Sequence, residues 1–193
     1  MKEFIFLYPI SEIFDLEIKN NGWFEKGGIE IYRLKYKTMI NKCIDLRYRK
    51  KGFNINYVIF NKSSLSNIIK LQESDKVIKI GLDFNTDHTK QKNEEYFNSN
   101  LDEILCKLNN FSILRIGGFH MWDCVEKLAK KAYELGFDTL VDEDLTEFFT
   151  ERLRDLNFKL ENYPTYNPRK DQISEFNSFI EARKEKPWLW QNY

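Results

Sequence analysis

The stretch from Ser112 to Phe149 constrains this chain most, because it reads as a strand, a tight turn, a helix and a second strand in succession. Ile113-Leu114-Arg115-Ile116 is a short apolar-rich run, Gly117-Gly118 breaks it, and a helical pattern begins after Phe119-His120-Met121-Trp122-Asp123. Val125, Leu128, Ala129, Ala132 and Tyr133 fall at i, i+3, i+4, i+7 and i+8, the spacing of one buried helix face. Gly136 stops the helix and Asp138-Thr139-Leu140-Val141 follows as a strand. Two strands joined by a helix form a βαβ crossover, which requires a parallel sheet and a right-handed connection. The expected fold class is therefore α/β: three layers, doubly wound, with helices on both faces of a mostly parallel sheet.

Cys124 then falls where a parallel strand has ended and a helix begins. In open α/β sheets this carboxyl edge is where ligands bind. A thiol in a helix's first turn meets the positive end of the helix dipole and unpaired N–H groups, which favour thiolate and a developing oxyanion. Against this, free cysteines commonly serve as small buried hydrophobes, and the adjacent Asp123 disfavours a second negative charge.

The run Gly118-Phe119-His120-Met121-Trp122-Asp123-Cys124-Val125, followed by Ala132-Tyr133-Glu134-Leu135-Gly136-Phe137-Asp138 and Val141-Asp142-Glu143-Asp144, resembles the isochorismatase-like cysteine hydrolase family. Upstream, Tyr96-Phe97-Asn98-Ser99-Asn100-Leu101-Asp102-Glu103-Ile104-Leu105 is similar to another segment of that family. The resemblance implies hydrolysis of a small molecule, an amide or a related C–N bond, with Cys124 as nucleophile. It implies an oxyanion pocket of backbone N–H groups near Phe119 to Cys124, with a non-proline cis peptide at Phe119-His120. A catalytic lysine is also implied, at Lys90 by position count or at Lys79 in the third strand. Three residues depart from the family pattern. Tyr8 or Pro9 stands where the catalytic Asp ends the first strand, Met121 stands in place of a Thr, and Trp122 adds bulk beside the thiol. Glu12 and Asp15 lie just downstream, with Glu12 reading first as a solvated helix-start or loop carboxylate. The candidate site is thus Cys124 and Lys90 for catalysis, with Tyr8, Phe119, His120 and Trp122 around the substrate. A reading of a different class keeps the fold and loses the chemistry: a silent member that binds a ligand or a protein.

The remaining sequence supports residues 1–161 as this domain and residues 162–193 as an aromatic-rich extension packing on it or on a neighbouring subunit. The 193 residues, 42% hydrophobic, suffice for a core without disulfides. Lys and Arg together number 30 and are balanced by 30 Asp and Glu, so no charge draws nucleic acid or an anionic membrane. No segment approaches a membrane span, and three cysteines without framework spacing suit reduced thiols, which places the chain in the cytoplasm. Asn61-Lys62-Ser63-Ser64 offers neither imidazole nor carboxylate after the second strand, and His88 and His120 have no ligand-spaced partners, so neither metal nor cofactor is expected.

In chain order, Phe4 to Tyr8 reads as a strand buried on both faces, Asn20-Asn21-Gly22 as a turn, and Ile29 to Lys51 as a long helix whose basic end complements the dipole before Gly52. Ile55 to Phe60 and Val77 to Ile80 read as strands, Ser64 to Gln72 as a short helix and Leu101 to Leu108 as a helix. Leu145 to Leu156 suggests a helix, Asn157 to Glu161 an edge strand and Ile173 to Lys184 a last helix. The Trp188-Leu189-Trp190 end needs a surface to cover it, and a homo-oligomer is the expected assembly.

Overall fold

A computed structural model describes residues 1–22, 25–83, 94–108, 110–147, 149–154, 158–161 and 184–189, with backbone alone for 94–99. Strands β1 (Lys2–Leu7), β2 (Asn54–Phe60), β3 (Lys76–Ile80), β4 (Ile113–Gly118) and β5 (Asp138–Val141) form one sheet in the order β3-β2-β1-β4-β5. All four pairings are parallel, with Leu7 in register with Val58 on one side and Gly118 on the other. The chain fills the sheet outward from β1 in one direction, then returns to fill the other. The order therefore reverses between β1 and β4.

Helices α1 (Ser11–Gly22) and α2 (Gly28–Arg47) connect β1 to β2, α3 (Glu94–Lys107) precedes β4, α4 (Glu126–Glu134) joins β4 to β5, and α5 (Phe149–Arg152) follows β5. With the right-handed crossovers that parallel strands favour, the two directions of winding put α1 and α2 on one face and α3 and α4 on the other. The contacts of α1 with α2 and of α3 with α4 follow that division. Strand β1 shows why both faces must be covered: Phe4, Ile5, Phe6 and Leu7 are at most 2% exposed. Alternation sends Phe4 onto Tyr48 and Phe6 onto Phe14, at ring-centroid distances of 4.0 and 6.3 Å, while Ile5 and Leu7 face the opposite layer.

Several local expectations are corrected. Asn20-Asn21-Gly22 closes α1 rather than turning the chain, because Asn21 Nδ2 donates back to the Glu17 carbonyl at 2.9 Å. Residues 64–72 form no helix, since side chains claim their backbone: Lys70 N donates to Asn41 Oδ1 at 2.7 Å, Ile68 N to Ser66 Oγ at 3.3 Å and Gln72 N to Asp75 Oδ2 at 2.9 Å. Leu145 to Leu156 is interrupted, with a 3-10 turn at Glu143–Leu145 ahead of the short α5. Among the described residues 158–161 there is no strand; the Leu160 carbonyl accepts instead from Arg47 Nε at 2.8 Å.

The basic end of α2 is also drawn inward. Arg47 is 1% exposed, its Nη1 donates to both Asp142 oxygens at 2.9 and 3.0 Å, and its Nη2 donates to Asp144 Oδ2 at 2.8 Å. Arg152 Nε reaches the other Asp144 oxygen at 2.8 Å, and Tyr48 donates to Asp142. Burial pushes the Asp144 carboxyl up, Asp142 adds to that, and Arg47 and Arg152 oppose it. Cys43, one turn before Arg47, is fully buried, and burial pushes its thiol well up. None of Cys43, Cys106 and Cys124 is in a disulfide.

Lys90, His88, the helix expected from Ile173, and Trp190 lie outside the described residues, apart from Lys184 at that helix's end. Trp188 and Leu189 are 7% and 0% exposed, and Val141 N on β5 donates to the Trp188 carbonyl at 2.9 Å. No helix among the described residues is long and apolar enough to cross a membrane.

Candidate functional site

The ends of β1 and β4 lie side by side where the strand order reverses, the position at which open parallel sheets bind ligands. Gly118 permits this approach. At φ 125° it takes a conformation L side chains rarely adopt, and a Cβ there would lie 2.5 Å from Leu7 N. The two non-glycine residues with positive φ among those described are Tyr8 at 58° and His120 at 63°, one just past each strand. A left-handed conformation costs such residues about 1–3 kcal/mol and clusters at ligand sites.

The turn after β4 differs from the expected one. The Phe119-His120 peptide is trans, and the chain reverses through the left-handed His120 instead. Cys124 sits in a π-helical turn, Met121–Val125, before α4 begins, so it is not in an α-helix's first turn. The wide turn is closed by Val125 N donating to the His120 carbonyl at 3.2 Å. Asp123 N donates to that carbonyl at 3.0 Å, Phe119 N to the Leu7 carbonyl at 3.3 Å, and His120 N to Glu147 Oε1 at 2.7 Å. Three of the N–H groups expected to cradle an oxyanion are therefore engaged, one of them by a carboxylate.

The turn brings Phe119, His120, Trp122 and Cys124 together, but they face different ways. Phe119 is 2% exposed, with its ring 6.0 Å from Phe6 and 5.0 Å from Phe14, so it is core on the α1 side. Trp122 is 43% exposed. Cys124 is 1% exposed, and its Sγ contacts Asp123 Oδ2 at 3.9 Å, while Asp123 is also paired with Lys127 at 2.5 Å. Tyr8 stands at the end of β1 as expected, but its ring stacks on Phe60 at 4.6 Å, on the β2 side and away from β4. Tyr8 N continues the ladder to the Val58 carbonyl, and its own carbonyl accepts from Ile10 N at 2.7 Å across Pro9.

Of the expected lysines, Lys79 is exposed on β3, three strands from β4, about 14 Å across the sheet at ordinary strand spacing. Glu12 is exposed in the first turn of α1, and Asp15 is paired with Arg33 at 2.7 Å. The carboxylate that the fold brings to this turn from elsewhere is Glu147, from the loop after β5, and no spacing in the sequence marks it; Glu17 on α1 lies near enough to feel its charge.

The Glu17 carboxyl is held above its ordinary value of 4.5, first by burial and then by the charge of Glu147. A carboxyl whose folded pKa lies above its unfolded pKa binds protons more tightly in the folded state, so stability falls as pH rises through the folded pKa. Glu17→Gln is therefore expected to raise the melting temperature at neutral pH, and the gap should close once pH falls below 4.5, where both states are protonated. A gap independent of pH in calorimetry would remove the charge of Glu17 as its cause.

No family model matches the chain, and no curated protein or solved structure matches it. The likeness to isochorismatase-like hydrolases therefore stands on the residues that carry it.

Proposed function

We propose that the carboxyl edge between β1 and β4 binds a small organic molecule, an amide or amine able to donate hydrogen bonds, without covalent turnover at Cys124. The observation that carries this reading is the Glu147 carboxylate on the His120 N–H. A tetrahedral oxyanion directed to that N–H would meet a negative charge instead of a free donor, the reverse of what acyl transfer requires. Tyr8 adds to it: the position that resembles the hydrolases' catalytic Asp carries a phenol stacked on Phe60, which leaves the thiol without that base. The Glu147 carboxylate and the exposed part of Trp122 then offer an acceptor and an apolar platform beside the two left-handed residues, Tyr8 and His120.

The second reading, a cysteine-dependent hydrolase of a C–N bond, would use Asp123, whose Oδ2 lies 3.9 Å from Cys124 Sγ, to accept the thiol proton, against the cost of a thiolate beside that carboxylate. One experiment separates the two. A panel of small amides and amines is screened by saturation-transfer NMR against the wild-type chain and Trp122→Ala, while product and protein mass are followed in parallel. Binding weakened by Trp122→Ala, with neither product nor adduct, is the expected result. Product release abolished by Cys124→Ser would overturn it in favour of turnover.

A further inference from the structure

The π turn that carries Cys124 is held at both ends by a residue from the far end of the chain. Lys186 Nζ lies 5.1 Å from the centre of the Trp122 ring, the second residue of the turn, and it also pairs with Glu126, the first residue of α4. These are not loose surface contacts, since the Lys186 and Glu126 side chains are 25% and 18% exposed. The segment bearing Lys186 is itself seated. Trp188 gives its carbonyl to Val141 N at 2.9 Å and rests 6.0 Å from the Tyr133 ring on α4, and Leu189 N closes a turn back onto the Lys186 carbonyl at 2.9 Å. A single π turn lacks the regular i to i+4 ladder, so what pins its ends largely sets how often it opens.

We propose that residues 184–189 form a latch on the turn that carries Cys124: Lys186, docked on Trp122 and Glu126, keeps the turn closed and the thiol buried, and undocking Lys186 lets the turn open and exposes it. The latch gates the same edge to which ligand binding is assigned above, and it goes beyond that reading because it concerns access alone. Its test uses no ligand, so the latch and the binding site can fail separately.

The three cysteines make the measurement self-controlled. Cys106 is exposed, Cys43 is fully buried in the core, and Cys124 is 1% exposed in the turn that Lys186 pins. Full-length protein is alkylated with iodoacetamide under native conditions, and each site is timed by peptide mass spectrometry. In the wild type, Cys106 reacts fast, and Cys124 and Cys43 slowly. Lys186→Met keeps most of the aliphatic stem and removes the charge. It should speed Cys124 about tenfold, the size expected from losing one cation–π contact and one part-buried ion pair together, with Cys43 unchanged. Lys186→Arg can make both contacts and should restore the slow rate. Three outcomes would each overturn the latch: a Cys124 rate unmoved by Lys186→Met, a Cys43 rate that rises in step with Cys124, or a wild-type Cys124 already as fast as Cys106.

Discussion

Replacing Arg47 with methionine is expected to cost about 3–5 kcal/mol of folding stability, the usual penalty for stripping one partner from a buried ion pair. The guanidinium is 1% exposed and bonds two carboxylates, Asp142 and Asp144, that are 0% and 4% exposed. Without it both charges stay buried, and the Arg152 pair compensates at Asp144. The carbonyls of Lys159 and Leu160 lose a donor as well. Burial works against the charge on Arg47, yet Asp142, with Cys43, Asp144 and Tyr48 adding to it, raises its pKa above the ordinary arginine value, so the residue does not escape by deprotonating. Urea denaturation should show a lower midpoint at an unchanged slope. Adding Asp142→Leu removes one stranded charge and should recover part of the loss, whereas a loss below about 1 kcal/mol for Arg47→Met would mean the network is only decorative.

Gly118→Ala should be comparably damaging for a different reason. Its Cβ would lie 2.5 Å from Leu7 N and 2.8 Å from Leu7 Cα, and these are backbone atoms of the central strand that cannot swing aside. The residue would also hold φ 125°, outside the range of ordinary side chains. Overpacking and strain together should exceed about 3 kcal/mol. Gly136→Ala supplies the comparison: at φ 87° it has nothing within 4 Å, so only the left-handed penalty of about 1–2 kcal/mol remains. Equal losses at the two positions would mean that conformation, and not the closeness of β1 to β4, is what Gly118 is needed for.

The βαβ unit was legible because its signals are local. Val125, Leu128, Ala129 and Ala132 are all buried as their spacing predicts, Gly136 takes the left-handed stop at φ 87°, and Asp138–Val141 is a strand. Tyr133, the fifth residue of that stripe, is 42% exposed and meets Trp188 instead of the sheet. What the sequence hid depends on distant partners. Arg47 looked like one more cation in a charged helix end, and its partner Asp142 lies 95 residues away, with no periodicity to join them. Glu147 was equally silent, because its role is to accept from a backbone N–H whose position depends on how the turn after β4 is built. The residue types of that turn were readable, while its π geometry, its trans bond and the left-handed His120 were not. The approach to that turn is set by tertiary crowding, since a Cβ on Gly117 would meet the Leu145 carbonyl at 2.7 Å, and such contacts leave no local signal in the sequence.

The central place of β1 also sets an order of events during synthesis. Lys2 to Leu7 leave the ribosome before the other strands and can pair with Asn54 to Val58 once β2 has been made. Their other edge waits for Ile113 to Gly118. At about 5–20 residues per second, that leaves a largely apolar strand half-paired for about 3–12 seconds. For that interval the nascent chain carries an open, sticky ladder at its middle, so chaperone demand should be highest while α3 is being made and should fall once β4 docks.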